Sequence, residues 1–72
     1  MADPARAAKI CLRLTRSEDE DTAECGAVAA VDLLEEHPHA YPAFAPVIAA
    51  ARAHRDIRIR SYADDLDAFT PA

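Results

Sequence analysis

The chain has 72 residues, a formal net charge of −5, and 51% hydrophobic residues, many of them alanine, with two cysteines. So short a chain makes one domain, spanning residues 1–72, with a thin core that leaves little material to enclose a deep catalytic pocket. An acidic total argues against a dedicated nucleic-acid or anionic-membrane binder, and two cysteines are too few for a disulfide framework.

Residues 1–7 read as a loose N-terminal arm, and residues 70–72 as a loose C-terminus. From Ala8 to Thr15 the pattern alternates, with Ile10, Leu12 and Leu14 to one side and Lys9, Cys11, Arg13 and Thr15 to the other. That period predicts a half-buried strand. Ser17 followed by Glu20 has the spacing of a capping box and opens a predicted helix from Glu18 to Glu36. Along it Ala23, Ala27, Ala30, Val31 and Leu34 share one face, while Asp21, Glu24, Asp32 and Glu35 share the other. Gly26 costs that helix about 1 kcal/mol relative to alanine, so a packing reason or a slight bend is expected there.

Pro38, Pro42 and Pro46 punctuate the next stretch and end the helix. A second helix is expected from Pro42 or Pro46 to about Arg55, its apolar side formed by Phe44, Val47, Ile48, Ala51 and His54. Residues Asp56 to Tyr62 alternate again, Ile57 and Ile59 inward and Arg58, Arg60 and Tyr62 outward, and predict a second strand. Ala63 to Phe69 has the spacing of one or two helical turns. No internal repeat is visible in the sequence.

These elements predict an α+β fold: a small two-layer β-α-α-β domain in which a two-stranded antiparallel sheet packs on two helices, with a short C-terminal helical turn. Such a sheet leaves both edges unpaired, and strand addition through Ile10–Leu14 or Ile57–Ser61 would make a homodimer. Its outward face would gather Lys9, Arg13, Arg58 and Arg60 into a basic patch.

Charge is segregated along the chain. Residues 1–16 carry a net +3, residues 17–36 a net −8, residues 52–60 a net +3, and the segment after Tyr62 a net −3. The eight carboxylates between Ser17 and Glu36 have no lysine or arginine among them, whereas helix faces that serve solubility normally mix signs.

Chemistry-bearing motifs are sparse. His37, His39 and His54, with Glu36 and the two cysteines, do not form the spacing of a closed zinc site, and no metal or cofactor is expected. There is no glycine-rich phosphate loop, nucleophile elbow or HExxH, so no catalytic residue is assigned. The Asp64–Asp65–Leu66–Asp67 cluster lacks the spacing of a calcium loop. With no basic-then-apolar leader and no apolar run near 18 residues, the expectation is a cytoplasmic protein with reduced thiols and no membrane partner. Seven arginines against one lysine, with abundant alanine, are a composition associated with GC-rich bacterial or phage genomes.

No motif carries a family resemblance. The acidic face leads to the expectation of a small non-enzymatic inhibitor that binds a protein partner with a basic surface. It would occupy a cationic nucleic-acid-binding groove, as phage-encoded anti-CRISPR proteins and other DNA mimics do, without contacting nucleic acid itself. Glu18, Asp19, Glu20, Asp21, Glu24, Asp32 and Glu35 would carry the contact. The alternative is a small dimeric transcriptional regulator or antitoxin-like protein whose basic sheet face touches nucleic acid.

Overall fold

The computed structural model describes residues 3–71. They form four α-helices, α1 (Pro4–Thr15), α2 (Glu20–Glu36), α3 (Tyr41–Arg52) and α4 (Ile57–Asp67), with a single 3-10 turn at Pro38–Ala40 before α3. No strand occurs among the described residues, so the expected α+β fold and its two-stranded sheet are wrong: the domain is all helical.

Three of the four helices open on an aspartate. Asp3 accepts from the Ala5 N–H at 3.0 Å, Asp19 from the Thr22 N–H at 3.0 Å, and Asp56 from the Arg58 N–H at 2.7 Å. Each satisfies a backbone donor that the first helical turn leaves unpaired. The α2 cap is therefore Asp19 and not Ser17, whose hydroxyl instead accepts from the Asp19 N–H at 3.1 Å. Pro4 follows the Asp3 cap at the first helical position, so residues 4–7 belong to α1 and not to a loose arm; Met1 and Ala2 lie outside the described residues. Thr70 and Pro71 lie beyond α4, and Ala72 is outside the described residues.

Both expected strands are helices because the residues that go inside are spaced three and four apart. In α1 they are Ala8, Cys11 and Thr15; in α4 they are Ile59, Ala63 and Leu66. The alternating pattern had placed Ile10 and Ile57 inward, yet they stand 57% and 71% exposed. With no strand edges at Ile10–Leu14 or Ile57–Ser61, association by strand addition has no basis. The expected C-terminal turns are the second half of α4. The second predicted helix survives as α3, starting at Tyr41 with Pro42 in its first turn, and it buries Phe44, Val47, Ile48 and Ala51 as expected. It ends at Arg52, which leaves His54 in the following loop, and it carries Pro46 internally on an exposed side.

The helices are arranged as two hairpins of like construction. A 12-residue helix, a four-residue loop and a second helix recur, the loops being residues 16–19 and 53–56. Each loop leaves its helix in the same way: the Arg16 N–H bonds the Leu12 carbonyl and the Ser17 N–H that of Leu14, as Ala53 does with Ala49 and His54 with Ala51. The two hairpins stack side by side in the same sense. α1 lies against α2 and α3, α4 lies against α2 and α3, and α1 and α4 take the far corners. The thin dimension of 16 Å between Cα atoms is what two helix layers need.

The loops meet at one end. The His54 ring bonds the Ser17 carbonyl through Nε2 at 3.0 Å and accepts from the Asp56 N–H through Nδ1 at 3.0 Å, so Nε2 carries the proton and donates. Ser17 and His54 are 37 residues apart and fill the same place in the two hairpins. The Arg55 guanidinium reaches the Glu18 carbonyl over the same separation. At equivalent places the residues differ, which is why no repeat was visible: Asp19 and Asp56 agree, but Cys11 answers to Ile48, Gly26 to Ala63 and Thr15 to Arg52.

The core is thin and alanine-rich, so the hairpins close tightly. Ala23, Ala27 and Ala30 of α2 are wholly buried, with Leu34, Phe44, Val47, Ile59 and Leu66 supplying the larger groups. Gly26 sits where α2 meets the end of α1. A Cβ there would lie 2.7 Å from Leu14 Cβ, 2.8 Å from the Thr15 backbone nitrogen and 2.8 Å from its hydroxyl oxygen. That hydroxyl, buried, donates to the Cys11 carbonyl at 2.7 Å and cannot turn away without losing its acceptor. Helix propensity alone would favour Gly26→Ala by about 1 kcal/mol. The collision with backbone outweighs it, and overpacking of this kind costs about 1–3 kcal/mol. Gly26→Ala is therefore expected to lower stability in urea unfolding; an unchanged or raised midpoint would show that the approach of α1 to α2 is looser than described.

Candidate interaction surface

The acidic face is built by α2. Its small buried side, Ala23, Gly26, Ala27, Ala30 and Leu34, fixes the rotation of the helix against the rest of the fold and so turns the opposite side to solvent. Asp21, Asp32 and Glu35 are exposed, and among the described residues no lysine or arginine pairs with them. From Asp21 to Glu35 is about 21 Å along the axis at 1.5 Å per residue.

The other predicted contact residues divide. Glu18 is exposed in the loop, where its carbonyl and not its carboxylate meets Arg55. Asp19 is occupied in capping, since one oxygen takes both the Thr22 N–H and the Thr22 hydroxyl, the latter at 2.6 Å. Glu20 faces Arg58 at 3.6 Å, an exposed pair of small energetic weight. Glu24 is half-buried and accepts from the Tyr62 hydroxyl of α4 at 3.1 Å. Burial first, and then this negative neighbour, raises the Tyr62 ionisation above its ordinary value. The stripe therefore has a free outer row, Asp21, Asp32 and Glu35, and an inner edge, Glu20 and Glu24, that ties α2 to α4.

The predicted basic patch is not assembled. Lys9 and Arg13 lie on α1, Arg58 and Arg60 on α4 at the far corner, and there is no sheet to join them. Arg58 is engaged by Asp56 and Glu20, and Arg60 donates to the His54 and Arg55 carbonyls at 2.9 and 2.7 Å. A different basic feature appears. Arg6, Lys9, Arg13 and Arg16 follow one another three and four residues apart, so the helical form of α1 sets them in a single exposed stripe. No described carboxylate pairs with any of them. The spacing was present in the sequence but has no meaning in the expected strand, Ala8 to Thr15, which holds only Lys9 and Arg13 and leaves Arg6 and Arg16 outside it.

The histidines, thiols and C-terminal aspartates have structural surroundings. The His37 and His39 rings meet edge to face at 6.2 Å, and no group of three metal-ligating side chains is gathered among the described residues. Cys11 is buried, which raises its thiol pKa, while Cys25 is exposed on α2 among the acids. Asp67 accepts from the Tyr41 hydroxyl at 2.8 Å and pairs with Arg52, which also faces Asp64 at 4.0 Å. An open groove of about 660 Å³ is lined by residues of both loops and α3, among them Arg16, Glu18, Pro46, Ala49, Ala53 and Arg55. No described helix is long and apolar enough to cross a membrane.

No family model, curated protein or solved structure matches the chain.

Three aspartates tie acid stability to these contacts. Asp19 is held below the ordinary carboxylate range by the Thr22 hydroxyl and N–H, Asp56 by the Arg58 N–H, and Asp67 by Arg52 and then Tyr41. A carboxyl depressed in the fold contributes stability above its unfolded value, about 3.9, and loses it as pH falls through the lower folded value. The melting temperature followed by circular dichroism is thus expected to stay level from pH 7 to about 5 and to fall below about pH 4. The combined D19N/D56N/D67N variant should start lower at neutral pH and fall less steeply.

Proposed function

We propose that the chain is a small non-enzymatic inhibitor that binds a protein partner through the outer row of α2 and occupies that partner's cationic nucleic-acid-binding surface. The observation that carries this is the placement of Asp21, Asp32 and Glu35 on one capped helix, facing solvent, with no lysine or arginine paired to them among the described residues. Glu18 extends the row at the loop. A groove that binds nucleic acid gains affinity by releasing counterions from a regular line of negative charge. A helix presenting carboxylates over about 21 Å offers a similar line with its geometry already set.

Rigidity supports the reading. The face opposite the acids is locked by close packing on α1, and the inner edge is held to α4 through Glu24 and Tyr62. Little ordering is then needed when a partner closes on the outer row. The reading in which a basic sheet contacts nucleic acid directly loses its surface, because its four cations stand on opposite corners.

The test uses D21K/D32K/E35K, whose positions are all exposed and whose helicity and melting temperature should match the parent chain. Immobilised parent and variant are challenged with a lysate of the native host at low and high salt, and captured proteins are identified by mass spectrometry. The parent should retain a nucleic-acid-binding protein that added duplex DNA releases, and the variant should lose it by ~10-fold or more, the scale set by close interfacial charge pairs. Equal capture by both, insensitive to salt and DNA, would remove the proposal.

A further inference from the structure

Two neighbouring helices of this molecule carry charge of opposite sign on their solvent sides, and each has an exposed aliphatic side chain in the middle. On α1 the row is Arg6, Ile10 and Arg13, flanked by Lys9 and Arg16, with Ile10 57% exposed. On α2 the row is Asp21, Val28, Asp32 and Glu35, with Val28 39% exposed. Arg6 to Arg16 spans about 15 Å and Asp21 to Glu35 about 21 Å at 1.5 Å per residue, so the acidic row is long enough to receive the basic one. Neither stripe is neutralised within the chain: none of these seven charged residues has an ion-pair partner among the described residues.

The fold itself shows what position 10 of the hairpin is suited to. Val47 occupies in the second hairpin the place that Ile10 occupies in the first, and Val47 is wholly buried in the core that both hairpins share. Ile10 has no such cover among the described residues. At the other end of the stack the outer side is closed by charge: Thr15, Ala27 and Ala30, all buried, answer to Arg52, Asp64 and Asp67, and Arg52 faces both aspartates. One end of the stack is finished and the other is open.

We infer that a second copy of this chain covers the open end, the basic α1 row of one copy lying on the acidic α2 row of the other, with Ile10 against Val28. Charge complementarity selects this pairing, since α1 on α1 or α2 on α2 would set like charges together. The aliphatic pair supplies the desolvated centre and the charges the rim. The second copy and the partner proposed above would compete for the same α2 row, so the inference concerns the chain by itself and is tested without that partner.

The experiment uses the purified 72-residue chain at several concentrations and salts, with mass measured by light scattering. The parent should exceed its monomer mass of 7.8 kDa in low salt and return to it as salt is raised, its dissociation constant rising by ~10-fold or more between about 50 mM and 500 mM. R6E/K9E/R13E makes both rows acidic and D21K/D32K/E35K makes both basic. Each should be monomeric alone while keeping parental helicity, and a mixture of the two should associate again. Ile10→Lys should weaken association of the parent without altering its fold. A parent that stays monomeric at all concentrations, or a mixture of the two swapped variants that fails to associate, would overturn the inference.

Discussion

The structure depends on how closely α1 and α2 approach at Gly26. A chain with few large apolar side chains cannot fill the space between widely spaced helices, so it must bring the backbones together. Gly26 makes that possible, with the Thr15 hydroxyl satisfied inside the contact by the Cys11 carbonyl. The flanking alanines of α2 follow the same logic: they bury little area each, but they admit α1 on one side and the large residues of α3 and α4 on the other. Rotation of α2 is fixed by this contact, and with it the direction in which every carboxylate of the helix points.

The second hairpin repeats the plan with other residues. Where α1 presents Leu14 and Thr15, α2 needs a glycine; where α3 presents Ala51 and Arg52, α4 accommodates Ala63. The match is of lengths, caps and loop hydrogen bonds and not of side chains. His54 joins the two loop ends by using both ring nitrogens on backbone groups, so the hairpins are held in register by a residue with no counterpart of its kind in the first loop.

Legibility followed the strength of the local signal. The span, buried face and acidic face of α2 were readable because seventeen residues give several turns of a 3.6-residue period. The α3 core residues were readable for the same reason. In α1 and α4, the large apolar residues Ile10, Leu12, Leu14 and Ile57, Ile59 follow a two-residue period. The small residues that in fact go inside, Ala8, Cys11, Thr15 and Ala63, carry little hydrophobic weight in such a reading. Better signals were the Asp3–Pro4 pair and the cap position of Asp56, which mark helix starts on backbone hydrogen-bonding grounds. The basic stripe of α1 was lost with the helix itself. The inner ties of Glu20 and Glu24 were not readable, because they depend on α4 lying beside α2, which no local pattern specifies.

The two thiols report on different events. Cys25 stands in open solvent, whereas Cys11 is covered by the packed hairpins and its ionisation is suppressed by that cover. An electrophile meets the first at the rate of ordinary collision. It meets the second only when the helices part, so the reactivity of Cys11 measures how often the stack opens. The chain thus carries a gauge of its own breathing in the contrast between its only two sulfhydryl groups.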